Sequence, residues 1–167
     1  MALTRWLMVL VLLQVLPAMA QGGEFPWKPG DAPPPVAGIR LGDGLVRIEA
    51  ALGQPSETQK LGEDIRAFTY KKHGLEVLYA SHDGVAIIFL LSRTAGDIGG
   101  VRFGDTREQV LARWGAPASV KEETAYYRAG DWVVILRLDE NDKVVQLGVG
   151  RAVENPPPGA KFYRKTD

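Results

Sequence analysis

The chain contains no cysteine, and this absence excludes two arrangements that are common among exported proteins. A disulfide framework, which stabilises many small secreted domains, cannot form. A lipid anchor carried by a cysteine cannot form either. The fold must therefore rest on a hydrophobic core of adequate size.

The chain also has few histidines and no net charge. The only histidines are His73 and His82, both in predicted turns, whereas a metal site needs several ligands converging on one point. No serine stands in a nucleophile-elbow pattern. The formal net charge is zero, which argues against general nucleic-acid binding. We therefore expect no metal, no cofactor, no catalytic centre and no nucleic-acid partner.

Long apolar runs are confined to the N-terminus. Residues 1–20 combine Arg5, an apolar stretch over residues 6–16 and a small-x-small site at Ala18-Met19-Ala20, a pattern typical of a secretory signal peptide. The alternative is an uncleaved anchor, but the apolar stretch is shorter than the ~20 residues that span a bilayer. We predict cleavage after Ala20, a periplasmic or secreted location, and no stable membrane insertion after cleavage.

Proline-rich segments flank the predicted folded body. Residues 21–36 form a leader predicted to be a disordered spacer, and residues 153–167 form a basic tail. Phe25 and Trp27 leave open the alternative that the leader docks on the body or on a partner. The tail is predicted to be a solubilising terminus, with contact to an anionic surface as the alternative.

A motif repeats within the body. Gly38-Ile39-Arg40-Leu41-Gly42-Asp43 recurs 62 residues later as Gly100-Val101-Arg102-Phe103-Gly104-Asp105. Self-similarity at a fixed offset indicates a duplicated unit. We predict two units, 37–93 and 99–152. Because a core of about 60 residues is marginal alone, the units are expected to share a core or a continuous sheet.

Each unit is predicted to be one helix followed by a three-stranded antiparallel meander, an α+β fold. The second helix begins with the capping-box sequence Thr106-Arg107-Glu108-Gln109 and ends at Gly115. In the first helix, Asp43 is the predicted cap. The strands follow from apolar alternation between turn residues. They are predicted over residues 65–71, 75–80, 85–92, 124–128, 132–138 and 143–149.

The strand over residues 85–91 is apolar on both alternating sides. Such a strand is buried on both faces. We expect a helix to cover one face and the second unit the other, with a partner protein as the alternative. Tyrosine and tryptophan are favoured at protein contacts. The predicted partner-binding residues, on the open face of the sheet, are Tyr70, Tyr79, Tyr126, Tyr127 and Trp132.

The second helix carries a family resemblance. The pattern Gly104-Asp105-Thr106-Arg107-Glu108-Gln109-Val110, continued by Gly115-x-Pro117, resembles small bacterial envelope domains of the BamE/SmpA type. Tandem copies of such a unit are similar in architecture to beta-lactamase inhibitory protein. The resemblance implies a non-enzymatic protein that binds other proteins. The chain departs from both, since the former are lipid-anchored, the latter is disulfide-bonded, and this chain has no cysteine.

These observations predict an exported, non-enzymatic module that binds another envelope or extracellular protein through the open face of a small antiparallel sheet. A structural or assembly accessory of the cell envelope, with the proline-rich ends as tethers, is a first alternative. An enzyme with an unrecognised site is the second.

Overall fold

The computed structural model describes residues 23–121 and 123–152. The predicted signal peptide and the predicted tail 153–167 lie outside these ranges. The described chain is a mostly-β α+β protein with two short helices, an eight-stranded antiparallel sheet and a separate hairpin, so the α+β class is confirmed. The elements are α1 (Leu45–Leu52), β1 (Glu57–Lys60), β2 (Ile65–Tyr70), β3 (Leu75–Ala80), β4 (Gly84–Leu90), β5 (Asp97–Ile98), β6 (Val101–Arg102), α2 (Arg107–Trp114), β7 (Ser119–Lys121), β8 (Thr124–Ala129), β9 (Trp132–Leu138) and β10 (Val144–Arg151).

The two halves of the chain join edge to edge. The strand order is β1-β2-β3-β4-β10-β9-β8-β7, so the last strand of each half lies in the centre of one sheet. At this junction Leu90 pairs with Leu147 and Phe89 pairs with Gly148. The second half therefore continues the sheet beside β4, and the expectation that it covers a face of β4 is wrong. Duplication of the units stays a prediction.

Each half contains four strands of the sheet, not the predicted three. The strands that the sequence did not indicate are β1 and β7, which form the two edges. Every residue of both strands is exposed, so neither carries the apolar alternation that identifies a strand in a sequence. Short edge strands with mostly polar side chains also limit edge-to-edge aggregation.

Both helices pack on one face of the sheet. Ile48 and Leu52 of α1, and Val110 and Trp114 of α2, are buried in the main hydrophobic core together with inward-facing strand residues. The predicted capping box of α2 is confirmed, since Thr106 accepts from the backbone of Gln109 and the Gln109 side chain accepts from the backbone of Thr106.

The predicted cap of α1 is wrong. Gly44 is its N-cap residue and offers no side-chain hydrogen bond. Asp43 instead closes the preceding turn, because its carboxylate accepts a hydrogen bond from the backbone N–H of Arg40 at 2.8 Å. Asp105 makes the same contact with Arg102 at 3.0 Å. The repeated aspartate therefore stabilises the turn before each helix.

The described part of the leader packs on the folded body. Phe25 lies 5.7 Å from the ring centroid of Trp114 and 5.3 Å from that of Tyr127, and Trp27 lies 5.4 Å from that of Trp132. The indole N–H of Trp132 donates to the carbonyl of Asp31 at 2.7 Å. In residues 23–36 the structure thus shows the docked arrangement rather than a free spacer. Neither described helix has the length and apolarity needed to cross a bilayer.

Candidate protein-binding face

The face of the sheet opposite both helices carries its own apolar cluster. We call this surface the helix-free face. Its buried members are Phe89, Val133 and Ile135, with exposed fractions of 3%, 9% and 4%, and none comes from a helix. The half-buried side chains packed against them are Leu78, Ile87 and Tyr126. These residues belong to β3, β4, β8 and β9, so the cluster spans the centre of the sheet.

Strand register explains how these side chains come together. Phe89 lies opposite Gly148, which lies opposite Ile135, which in turn lies opposite Tyr126. Two residues further along β3 and β4, on the same face, Leu78 lies opposite Ile87. Directly opposed residues of antiparallel strands point to the same face, so they form continuous apolar rows.

Two glycines of β10 lie at the centre of this face and leave room for the side chains of β4. A Cβ at Gly148 would lie 2.5 Å from Cδ1 of Phe89 and 2.8 Å from the carbonyl oxygen of Ile88. A Cβ at Gly150 would lie 3.1 Å from Cγ1 of Ile87. The side chains of β4 therefore occupy the space above β10.

Charges of opposite sign lie on either side of the apolar rows. Glu76 of β3 lies opposite Phe89, and Arg137 of β9 lies opposite Gln146. Burial raises the pKa of Glu76, and a hydrogen bond with the Thr69 side chain opposes this rise. Nε of Arg137 is buried and has no hydrogen-bond partner in the described structure. The Arg137 side chain as a whole is half-buried, so its guanidinium is a candidate contact point.

The five predicted partner-binding residues do not form one surface. Tyr70, Tyr127 and Trp132 are buried at 4%, 2% and 4% exposure in the core beneath the helices. Tyr79 is half-buried on that same side, 6.0 Å from the ring of Phe68. Of the five, Tyr126 alone lies on the helix-free face.

Strand alternation separates these residues. Tyr126 and Tyr127 are neighbours in β8 and therefore point to opposite faces. The signal that identifies the helix-free cluster is the apolar run of β9, where Val133 and Ile135 alternate with Trp132 and Val134. A strand that is apolar on both sides therefore occurs in each half, as β4 and as β9.

Burial also raises the pKa values of two tyrosines in the core. The pKa of Tyr127 lies above the usual 10.0 because of burial, and its hydroxyl donates to the carbonyl of Gly115 at 3.0 Å. The pKa of Tyr70 is raised by burial and, to a lesser degree, by the negative charge of Glu49. Both phenols are neutral structural groups at physiological pH.

A shallow cavity of about 280 Å³ lies beside α1 on the helix side of the sheet. Ile48 and Phe68 supply apolar walls, while Glu49 and Arg66 are exposed side chains of opposite sign on its lining. Because the cavity is open and its lining carries one charge of each sign, it indicates no particular class of ligand.

The two histidines lie at opposite ends of β3. Nε2 of His73 is 3.2 Å from the carbonyl oxygen of Leu52, whereas Nε2 of His82 is 3.9 Å from a carboxylate oxygen of Asp64. The turns that hold them precede and follow the same strand, so their side chains cannot converge. Within residues 23–121 and 123–152, no group of three or more potential metal ligands occurs.

Comparison with known proteins supports the fold alone. The chain matches no protein-family model and no curated protein. It is similar in structure to a cysteine-rich secretory protein of Staphylococcus aureus, with a TM-score of 0.57, 12% sequence identity, and coverage of 77% of this chain and 49% of that one. The chain thus spans about half the length of that protein.

Two further structures are similar. A DUF4309-family protein, YjgB, of Bacillus subtilis aligns with a TM-score of 0.51 and 13% identity, covering 66% of this chain and 79% of that one. An extracellular SCP-domain protein of Bacillus anthracis aligns with a TM-score of 0.48 and 10% identity, covering 72% of this chain and 46% of that one. Structural neighbours thus include secretory and extracellular bacterial proteins.

These findings correct the resemblance to BamE/SmpA domains and to beta-lactamase inhibitory protein. The structures that match with a TM-score above 0.5 are the secretory protein and the DUF4309-family protein. The pattern that carried the resemblance consists of a turn, a capping box and a glycine stop, which are general features of a short helix between turns. Such a pattern specifies local structure and not a family.

Proposed function

We propose that this chain is an exported, non-enzymatic protein-binding module, and that the helix-free face binds another envelope or extracellular protein. The observation that carries the proposal is the apolar cluster on the face to which neither helix contributes, whose half-buried members are Leu78, Ile87 and Tyr126. An antiparallel sheet with one solvated face normally alternates apolar and polar residues. Here β4 and β9 are apolar on both sides.

The surroundings of the cluster match the anatomy of a protein interface. An apolar centre bordered by polar and charged side chains, with arginine and tyrosine enriched, is typical of such surfaces. Ile87, Leu78 and Tyr126 are half-buried, so a partner that covers them removes further apolar area from water. Arg137 is half-buried on this face, so the accessible part of its guanidinium can donate to a partner's acceptor.

The proposed location is the periplasm or the extracellular space. The signal-peptide pattern of residues 1–20 supports export, and two structural neighbours carry names that describe secretory or extracellular proteins. Export brings the helix-free face into contact with other envelope or extracellular proteins and not with cytoplasmic ones.

The test is capture of a partner by the exported protein, with variants that change one face at a time. Ile87→Lys places a charge on the helix-free face, and the matched control Val46→Lys places the same charge on α1, where Val46 is 84% exposed. We expect Ile87→Lys to weaken binding of the captured partner at least tenfold and Val46→Lys to leave the binding unchanged.

Thermal melting of each variant checks that the fold survives, and Leu78→Lys replaces Ile87→Lys if it does not. Binding that is unchanged by a folded face variant, whatever the effect of Val46→Lys, overturns the proposal.

A further inference from the structure

The centre of the helix-free face is buried although neither described helix lies over it. Phe89, Val133 and Ile135 are 3%, 9% and 4% exposed. The helices, the β5–β6 hairpin and the described leader contribute to the main core on the opposite face, and none of them contributes to this cluster. Side chains stand roughly perpendicular to a sheet, so neighbouring side chains shield their flanks and not their outer ends. This degree of burial points to a further segment of the chain over the centre of the face.

The last described residues lie beside this centre. Gly150 of β10 is opposite both Ile87 and Val133. The backbone N–H of Ala152 donates to the carbonyl of Asp131 at 2.8 Å, so the chain follows the sheet as far as residue 152. The tail, residues 153–167, therefore begins two residues, or roughly 7 Å, beyond the level of the apolar cluster.

The other end of the described chain lies on the helix side of the sheet. The backbone N–H of Gly23 donates to the carbonyl of Leu111 in α2 at 3.2 Å. Residues 1–20, which precede it, have the pattern of a signal peptide that is removed on export. The tail is therefore the segment of the exported chain that is best placed to cover the helix-free face.

The sequence of the tail suits an apolar surface. The three prolines at positions 156–158 have no backbone N–H, so they can lie on apolar side chains without leaving a donor unpaired. Extended proline segments dock on aromatic surfaces, and Phe89 and Tyr126 supply aromatic rings on this face. The tail also contains two adjacent aromatic residues, Phe162 and Tyr163, which can add apolar contact area.

Charge favours the first half of the face for this segment. There the face presents Glu57, which is paired with Lys71, and Glu76, which forms no ion pair with the described residues. In the second half it presents Arg128 and Arg137. The tail is basic around its aromatic pair, at Lys161, Arg164 and Lys165. Its cations are therefore attracted to the first half and repelled by the second.

The length of the tail is sufficient. Glu76 is four residues back along the strand direction from Ala152 and two strands across, which is about 16 Å. The ten residues from Ala152 to Phe162 can span about 33 Å, so length remains for a reversal at the turn residues that flank the prolines. We propose that the tail lies across the first half of the helix-free face, with Phe162 and Tyr163 over the apolar cluster, and that a partner protein has to displace it.

This inference rests on the proposed function for the partner, and it adds the regulation of the same surface. A tail over the centre accounts for the burial of Phe89, while Leu78, Ile87 and Tyr126 stay half-buried around it. Because a partner then binds only the fraction of molecules whose face is uncovered, its apparent affinity is lowered by that fraction.

The first experiment measures whether the tail lies on this face. The chain has no cysteine, so two introduced cysteines report a single proximity. The exported protein carries Ala160→Cys in the tail together with Leu78→Cys on the helix-free face. The control combines Ala160→Cys with Val46→Cys on α1, where Val46 is 84% exposed. A short bis-maleimide reagent is added to dilute protein, and mass spectrometry measures the product linked within one chain.

We expect at least tenfold more of this product from position 78 than from position 46, although Val46 is the more exposed of the two. Thermal melting checks the fold, and Ile87→Cys replaces Leu78→Cys if that variant does not fold. Equal yields from positions 78 and 46 overturn the inference.

The second experiment measures competition with the captured partner. Phe162→Ser combined with Tyr163→Ser removes the aromatic pair, and Thr166→Ala is the control within the tail. We expect the double variant to lower the cross-linking yield at position 78 and to bind the partner at least threefold more tightly, and the control to change neither. An unchanged yield and an unchanged affinity in the double variant overturn the inference.

The two proposals fail in different ways. Equal cross-linking from positions 78 and 46, with partner binding that Ile87→Lys weakens, overturns the tail contact and leaves the proposed function standing. Preferential cross-linking from position 78, with partner binding that Ile87→Lys does not change, overturns the proposed function and leaves the tail contact standing.

Discussion

The hydroxyl of Tyr127 is the polar end of a side chain that is otherwise enclosed by aromatic rings. Phe25 and Trp114 lie 5.3 and 5.0 Å from its ring centroid, and the hydroxyl donates to Gly115, the residue that ends α2. One phenol thus connects the leader, the helix end and the sheet. Its neutral form is required, because a phenolate cannot donate this hydrogen bond.

Stability should therefore fall in strongly alkaline solution. Burial raises the pKa of folded Tyr127 above 10.0, so as pH rises the unfolded chain loses its proton first. The contribution is fully present below pH about 10 and is lost as pH rises towards the folded pKa. Tyr127→Phe should make the free energy of unfolding fall less steeply over this range, measured by urea denaturation. Equal slopes for the variant and the wild type would contradict this role.

On the helix-free face, glycine is required more strictly at position 148 than at position 150. Gly148→Ala should destabilise the fold by about 2 kcal/mol, because its Cβ meets the backbone carbonyl of Ile88 as well as the ring of Phe89. Gly150→Ala should cost less than about 1 kcal/mol, since Ile87 can shift by a few tenths of an ångström. Chemical denaturation of the pair measures the difference, and a larger loss at Gly150 would refute the packing described.

At the scale of single elements, the two helices differ in how they begin. α2 has a reciprocal capping box, whereas α1 begins at Gly44 without a side-chain hydrogen bond. The sequence predicts both helices, because a cap, an apolar face and a glycine stop are local signals. It does not predict β1 and β7, because exposed edge strands of three or four residues carry no periodic signal.

Substitutions at the N-cap residues of the two helices should change the free energy of unfolding in opposite directions. Thr106→Ala should lower the free energy of unfolding by about 1 kcal/mol, because the N–H of Gln109 loses its acceptor. Gly44→Ser should raise it by a few tenths of a kcal/mol, since Gly44 has φ −82° and a Cβ there meets nothing within 4 Å. Thermal and urea unfolding of both variants test this, and a stabilising Thr106→Ala would contradict the cap.

Part of the leader packs with the core, since Val36 is buried in it and Phe25 and Trp27 are half-buried against it. Phe25→Ala should destabilise the fold by about 2 kcal/mol, because the half-buried ring packs on Trp114, Tyr127 and Trp132. Lys28→Ala is the matched control, since its side chain is exposed. The intrinsic fluorescence of Trp114 and Trp132 should change only in the first variant. Equal stability of both variants would show that the leader is a spacer, as its composition suggests.

At the scale of the whole molecule, the arrangement of the two halves determines which surfaces are left for function. Local signals predict the helices, six of the strands and the repeated turns. They do not determine whether β4 stacks under the second half or pairs with β10, because an apolar strand can be buried in either way. In the structure it pairs with β10, which leaves Ile87 and Phe89 on the helix-free face.

The same long-range pairing explains why the candidate site was only partly predictable. Aromatic content singled out Tyr70, Tyr127 and Trp132, but their strand parity points them towards the helices. Aliphatic residues of β4 and β9 form most of the helix-free cluster, and their convergence depends on the β4–β10 junction. Tyr126 is the predicted residue that the structure brings to this cluster.

The most direct test of the central claim is site-specific photo-cross-linking in cells that export the protein, with the reactive side chain at position 78 or at position 46. Leu78 lies on the helix-free face and Val46 lies on the outer surface of α1. We expect a discrete cross-linked protein species from position 78, lost when Ile87→Lys is added, and none from position 46. Equal cross-linking from both positions, or cross-linking from position 46 alone, would contradict the claim that the helix-free face is the protein-binding surface.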